Sequence, residues 1–128
     1  MVALRYEILR KPLGLEFHAE ELEREKEDIL IGSFDEDELL GCCLLTRLDK
    51  DTVKLRQMAV QNNLQGKGIG ELIMHFAENL ARDRGFKAIT MHARDSARGF
   101  YEKLGYQAVG DGFIEVKTPH HQMQKRLV

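Results

Sequence analysis

No stretch of this 128-residue chain is apolar for long enough to cross a bilayer, because every hydrophobic run is short and interrupted. Its first residues, MVALRYEILRK, mix charge among the apolar side chains, unlike the apolar centre of a signal peptide. Neither sign of charge is in excess. The 19 Lys and Arg stand against 21 Asp and Glu, a formal net charge of −2, which disfavours general binding to nucleic acid or an anionic membrane. The expectation is a soluble, cytoplasmic protein with neither kind of partner. Cysteine is scarce as well: Cys42 and Cys43 are adjacent, a vicinal bridge is strained, and the pair reads as two thiols packed in a strand without a redox role. The two prolines, Pro12 and Pro119, sit near opposite ends, and no repeat, linker or low-complexity stretch intervenes. One domain over residues 1–128 is expected, long enough to bury a core without metal or disulfide support. No spacing of histidine and cysteine argues for zinc.

What the chain does contain is a run of short periodic segments. Near the start, Val2, Leu4, Tyr6 and Ile8 alternate like a strand, while Leu4, Ile8 and Leu9 also form a helical stripe; a short helix stopped by Pro12 and Gly14 is favoured. Residues His18 to Glu27 read as a short exposed helix or a charged loop. Ile29 to Phe34 and Leu39 to Leu48, joined across the acidic DEDE, make a hairpin. In TVKLRQMAV, Val53, Leu55 and Gln57 keep one phase, and Met58 and Val60 carry the apolar phase on with a shift of one residue. A bulge near Gln57 and Met58 restores alignment, and a strand end buried on both faces fits the same pattern. Ile69, Leu72, Ile73, Phe76, Ala77, Leu80 and Ala81 recur at helical spacing, with Gly85 as a stop. Lys87 to Ala93 reads as a buried strand. A short helix with the stripe Ala97, Phe100, Tyr101 and Leu104 follows, capped by Asp95 or Ser96. Tyr106 to Val109 and Glu115 to Leu127 are the last strands, separated by GDG.

The chemical signal lies in QGKGIG, Gln65 to Gly70, between a strand and a helix. Glycines allow close backbone approach, and the N–H groups at a helix start face outward at the positive end of the dipole, which suits phosphate oxygens. Lys67 adds a point charge beside the loop. A Walker A loop needs Ser or Thr where Gly68 follows Lys67, and the dinucleotide fingerprint needs a glycine where Glu71 stands, so both of those readings fail.

With its flanking strand and helix, Gln65, Gly66, Lys67, Gly68, Ile69, Gly70 resembles the acetyl-coenzyme A signature of the GNAT superfamily of N-acetyltransferases. ARGFYEKLGY, Ala97 to Tyr106, is similar to the family's later motif, and the combination of Ala93, Arg94, Ala97, Phe100 and Tyr101 with PHHQM near the C-terminus resembles a bacterial branch of small, uncharacterised acetyltransferases. The resemblance covers Gly41 to Leu127. It implies an α/β fold with a mixed, mostly antiparallel central sheet, splayed at a bulged fourth strand and flanked by helices. Acetyl-coenzyme A is then the cosubstrate, its pantetheine arm pairing with Met58, Ala59 and Val60, and its pyrophosphate held at Gln65 to Gly70. An N–H near Ala59 polarises the thioester carbonyl. Ala97 and Phe100 belong to the cofactor side, and Tyr101 protonates the departing thiolate, although by pattern alone Tyr101 is a core aromatic. Arg94 stands where many members have Asn; it meets a phosphate or a substrate carboxylate, or pairs with Asp95. The family's first strand looks short or absent.

No carboxylate lies within Thr52 to Val60, so the base is an ordered water or one of His92, His120 and His121. His92, on the opposite phase from Ile89 and Met91, faces the slot or is a structural histidine bonded to backbone. His120 and His121 point to opposite faces of a strand, and one of them lines the acceptor site. His18 and His75 read as solvated. The acceptor is a small-molecule or peptide amine, which the acidic stretches DEDE and EELEREKE either attract or ignore as ordinary solvated faces. An incomplete sheet edge at the N-terminus invites a homodimer. The competing readings are a coenzyme A sensor of the same fold without turnover, and a domain for other phosphate-bearing nucleotides.

Overall fold

The structure, a computed structural model, describes residues 6–10, 16–21, 28–64 and 66–128. Among the described residues, eight strands form one sheet: β1 Tyr6–Arg10, β2 Glu16–Glu21, β3 Asp28–Asp35, β4 Glu38–Arg47, β5 Thr52–Val60, β6 Ala88–Arg94, β7 Gln107–Glu115 and β8 Thr118–Arg126. They lie in the order β1-β2-β3-β4-β5-β6-β8-β7. β5 and β6 run parallel, and the other neighbouring pairs are antiparallel. Parallel neighbours need a crossover, here supplied by helix α1, Ile69–Asp83. A 3-10 turn at Asp95–Ala97 and helix α2, Arg98–Lys103, connect β6 to β7.

α1 lies across β3, β4 and β5 because its apolar stripe has nowhere else to bury. Ile73, Met74, Ala77 and Ala81 are fully buried against a sheet face made by Ile31, Cys43, Leu45, Val53, Ile89 and Met91. Each such large side chain contributes about 1.5–3 kcal/mol. Gly85, at φ +89, ends the helix as expected, and Phe86 folds back with its N–H on Ala81 O at 3.0 Å.

A polar clamp locks the second helix to this core. Glu78 is buried on α1; it accepts from the Tyr106 hydroxyl at 2.9 Å and from Lys125 Nζ at 3.0 Å. Lys125 also donates to Leu104 O at 2.7 Å, so one ammonium ties α1, the end of α2 and β8 together. Burial first, and then Glu78, push the Tyr106 phenol upward, which favours its neutral, donating form. Lys125→Met leaves the Glu78 carboxylate buried with one partner fewer, and a loss of about 3 kcal/mol is expected. Denaturant unfolding checks it: the midpoint should fall while the m-value holds.

Three sequence expectations are corrected. The N-terminal helix is instead strand β1, hairpinned to β2, which takes the backbone at His18 into the sheet; side chains there and residues 22–27 lie outside the described residues. Pairing with β3 decides between two patterns that the short sequence left balanced, and it fills the edge expected to be incomplete. GDG does not separate the last strands: β7 runs through it with a register shift between Val109 and Phe113. The turn lies at Val116 and Lys117, at φ 48 and 59. Finally, neither Asp95 nor Ser96 caps the short helix, whose N-cap is Ala97 without a side-chain bond.

Candidate active site

The bulge inferred from alternation is present. Cys42 pairs with Ala59 and Leu44 with Arg56, so Gln57 and Met58 together oppose Cys43, and Gln57 takes a φ of 55. Space at β4 is tight here, since a Cβ on Gly41 would lie 2.8 Å from Ile73 Cδ1 and 2.9 Å from Ala59 O. At this point β5 also leaves β6. Their pairing covers Thr52/Ala88 to Leu55/Met91 and stops; beyond it, β5 is held by β4 and β6 by β8.

The gap opens into a cavity of about 860 Å³. Met58, Arg94, Ala97 and Tyr101, all expected site residues, line it. Ala59 and Val60 continue β5 past the bulge, and Ala59 is exposed. Phe100 sits beside the cavity, edge-on to Tyr101 at 5.0 Å and 3.2 Å from where a Cβ on Gly70 would be; Met58 Cε lies 3.5 Å from that point. Gly70 is therefore a glycine of close packing. Ile69 is a core side chain, so only its backbone is available to a ligand.

The rest of the loop has the other character. Gly66 and Gly68 adopt φ +83 and +85, and a Cβ at either would meet nothing within 4 Å. Gly68 is the N-cap of α1, no side chain among the described residues caps the helix, and Leu72 N–H bonds back to Gly68 O at 3.1 Å. The amides before Leu72 thus stand at an open helix start beside exposed Lys67, a fit for phosphate oxygens. Gln65 lies outside the described residues.

Tyr101 satisfies both of its readings. It is 6% exposed and packs edge-on to Tyr106 at 5.9 Å, yet it lines the cavity. Burial, and to a smaller extent Cys43, push its phenol up to about 12, so the hydroxyl keeps its proton at neutral pH. Burial likewise pushes the Cys43 thiol upward, away from the reactive thiolate. Replacing Cys42 and Cys43 by Ala should leave turnover per folded molecule unchanged and lower stability by about 0.5–2 kcal/mol. Active-site-normalised rates and a denaturation curve check this, and a complete loss of activity in folded protein would reveal a thiol mechanism.

A sequence model described as an acetyltransferase (GNAT) domain matches residues 10–127. The chain belongs to the GNAT superfamily. The uncharacterized N-acetyltransferase YjcF of Bacillus subtilis (strain 168) is 31% identical over 107 residues, 83% of this chain and 74% of that protein. The uncharacterized protein YyaT of the same organism is 31% identical over 81 residues, 63% of this chain; the chain spans about half, 55%, of its length. Among solved structures, an aminoglycoside 6'-N-acetyltransferase complexed with coenzyme A superposes with a TM-score of 0.74 at 20% identity, covering 82% of this chain and 76% of that one. At that identity the likeness shows the fold.

Within this GNAT fold the histidines separate cleanly. His75 is exposed, 3.9 Å from Glu71. His121 Nδ1 donates to Asp95 Oδ1 at 2.7 Å and pins the 3-10 turn to β8. Arg94 is exposed at the end of β6. His92 and His120 both line the cavity, and between them stands a residue that sequence reasoning missed, Glu115. His92 Nδ1 lies 3.0 Å from Glu115 Oε1, and His120 Nε2 lies 3.8 Å from Glu115 Oε2. The hydrogen bond from His92 is the main cause that holds the Glu115 carboxyl below its usual range; desolvation opposes it, and the charges of His92, His120 and Lys54 add to it.

Proposed function

We propose that this chain transfers an acetyl group from acetyl-coenzyme A to a primary amine, by direct attack in a ternary complex. The observation that carries the reading is the parting of β5 from β6 at the bulge, which opens a cavity beside Tyr101 at one end of a strand leading into the glycine loop. An unpaired strand edge offers backbone groups to the amides of the pantetheine arm as an added strand would. Gly66, Lys67, Gly68 and the first amides of α1 suit the pyrophosphate, and an N–H near Ala59 suits the thioester oxygen. Membership of the GNAT superfamily, and a structural neighbour crystallised with coenzyme A, support the same cosubstrate.

Chemistry then needs little covalent participation from the protein. A neutral amine held against the carbonyl carbon gains most from proximity and orientation. Its lone pair forms the C–N bond, the carbonyl oxygen takes and returns charge, and the C–S bond breaks with its electron pair on sulfur. Tyr101 meets that sulfur with its hydroxyl. Arg94, exposed at the mouth, is placed for a phosphate or an acceptor carboxylate.

Two measurements test the proposal together. Coenzyme A at a hundred times its Kd should stabilise the fold by about 2.7 kcal/mol, a rise in Tm of roughly 10 °C, while ATP leaves Tm unchanged. Thiol release from acetyl-coenzyme A should depend on added amine in a panel of ethanolamine, lysine, spermidine, glucosamine and benzylamine. Stabilisation by ATP, or thiol release indifferent to every amine, would overturn the reading.

A further inference from the structure

The cavity holds more titratable groups than Tyr101 accounts for. Three strands each contribute one to its lining: His92 from β6, Glu115 from β7 and His120 from β8. Their arrangement is ordered by hydrogen bonds. A carboxylate only accepts, so the 3.0 Å contact requires the proton on His92 Nδ1 and leaves the lone pair of neutral His92 on Nε2. His120 Nδ1 likewise donates to Thr118 O at 2.7 Å. Its other nitrogen is turned toward Glu115, in a side chain only 7% exposed. Phe113 separates the two imidazoles, edge-on to His92 at 5.0 Å and stacked with His120 at 6.0 Å. His92 is thereby gripped on one nitrogen, backed by an aromatic wall, and still 35% exposed beside the cavity.

We infer that His92, oriented by Glu115, is the general base that takes the proton from the attacking amine. The inference rests on the transferase reading above. As the amine nitrogen bonds to the thioester carbon its N–H becomes acidic, and that proton passes to His92 Nε2. The electron pair of the breaking C–S bond goes to sulfur, which gains its proton from Tyr101 or solvent; His92 then returns its proton to solvent. The products are the acetamide and free coenzyme A, with no other reactant. Glu115 is a positioning residue: it fixes the tautomer and ring of His92 and balances the imidazolium that forms, the role a carboxylate plays behind any histidine base. The other charged or titratable groups around this part of the cavity are Lys54 and Arg56 on β5, Arg94 on β6, His120 on β8 and Tyr101 on α2. Lys54 is felt at Glu115, and Arg56 Nη1 bonds Thr46 Oγ1 at 3.3 Å.

The test compares His92→Gln, Glu115→Gln and His120→Gln with the parent, using acetyl-coenzyme A and the best amine of the panel above. His92→Gln is expected to lower kcat by about a hundred- to ten-thousand-fold with coenzyme A affinity unchanged, to lose the ascending limb of kcat against pH at saturating amine, and to regain part of its rate with added imidazole. Glu115→Gln, which keeps an amide oxygen to accept from His92 Nδ1, should fall by about ten- to a hundredfold in kcat with the acceptor KM held, and retain the limb. His120→Gln removes a side chain that lines the same cavity, so its rate is not the control, but it should retain the limb. Parent-like kcat and limb in folded His92→Gln would overturn the assignment, as would loss of the limb in His120→Gln alone. A parent that binds coenzyme A and acetylates nothing instead fails the transferase reading and takes this assignment with it.

Discussion

Turnover by Tyr101→Phe is expected to fall about ten- to a thousandfold, with folding and coenzyme A affinity kept near those of the parent. The ring and its edge contacts to Phe100 and Tyr106 survive the change, and only the oxygen leaves the cavity wall. The phenol sits at about 12 because burial disfavours its anion, so it enters each cycle protonated. A thiol near 8.5 is the stronger acid, which makes complete transfer to a free thiolate uphill. The hydroxyl therefore acts mainly by hydrogen bonding to sulfur as charge develops, and this places the effect in the lower part of the general-acid range. An acyl donor with a better leaving thiolate should rescue the Phe variant preferentially. Parent-like turnover with acetyl-coenzyme A, under conditions where chemistry is slow, would return Tyr101 to the core role that its helical stripe suggests.

Gly68→Asp should abolish coenzyme A binding in a folded protein. The position has φ +85 and open space above it, so an aspartate fits at a backbone cost of about 1–2 kcal/mol and sets a carboxylate where the phosphates are proposed to lie. Gly70→Asp is the poorer test, because its Cβ would already press on the Phe100 ring at 3.2 Å. Lys67→Ala removes a single exposed charge and should cost about 1 kcal/mol of binding, since the backbone donors remain. Calorimetric titration with coenzyme A ranks the three. Wild-type affinity in Gly68→Asp would move the cofactor elsewhere.

The parts of this site that were legible are those with a local signature. The bulge shows as a slipped apolar phase at Gln57 and Met58, and α1 shows as a stripe from Ile69 to Ala81 bracketed by Gly68 and Gly85. Tyr106 to Glu115 was misread because the actual turn uses positive φ at Val116 and Lys117, where no glycine or asparagine marks it, while GDG marks a register shift inside β7. β1 and β2 were missed because their choice between strand and helix is made by pairing with β3, a tertiary contact. Glu115 was invisible for a similar reason. It stands 23 residues from His92 in sequence, and the two meet only through the tertiary arrangement of the last strands, ordered β6-β8-β7. A lone glutamate before a valine carries no motif, and Thr52 to Val60 holds no carboxylate.

The central claim is that the cavity between β5 and β6 carries out acetyl transfer and does not merely hold a coenzyme. Its most direct test follows free coenzyme A and acetylated amine in the same reaction by mass spectrometry. The account predicts that both appear together, one for one, that both require the amine, and that both stop when Gly68→Asp replaces the parent. Tight binding of acetyl-coenzyme A with neither product above the uncatalysed background would contradict it and make the protein a sensor of the acyl donor.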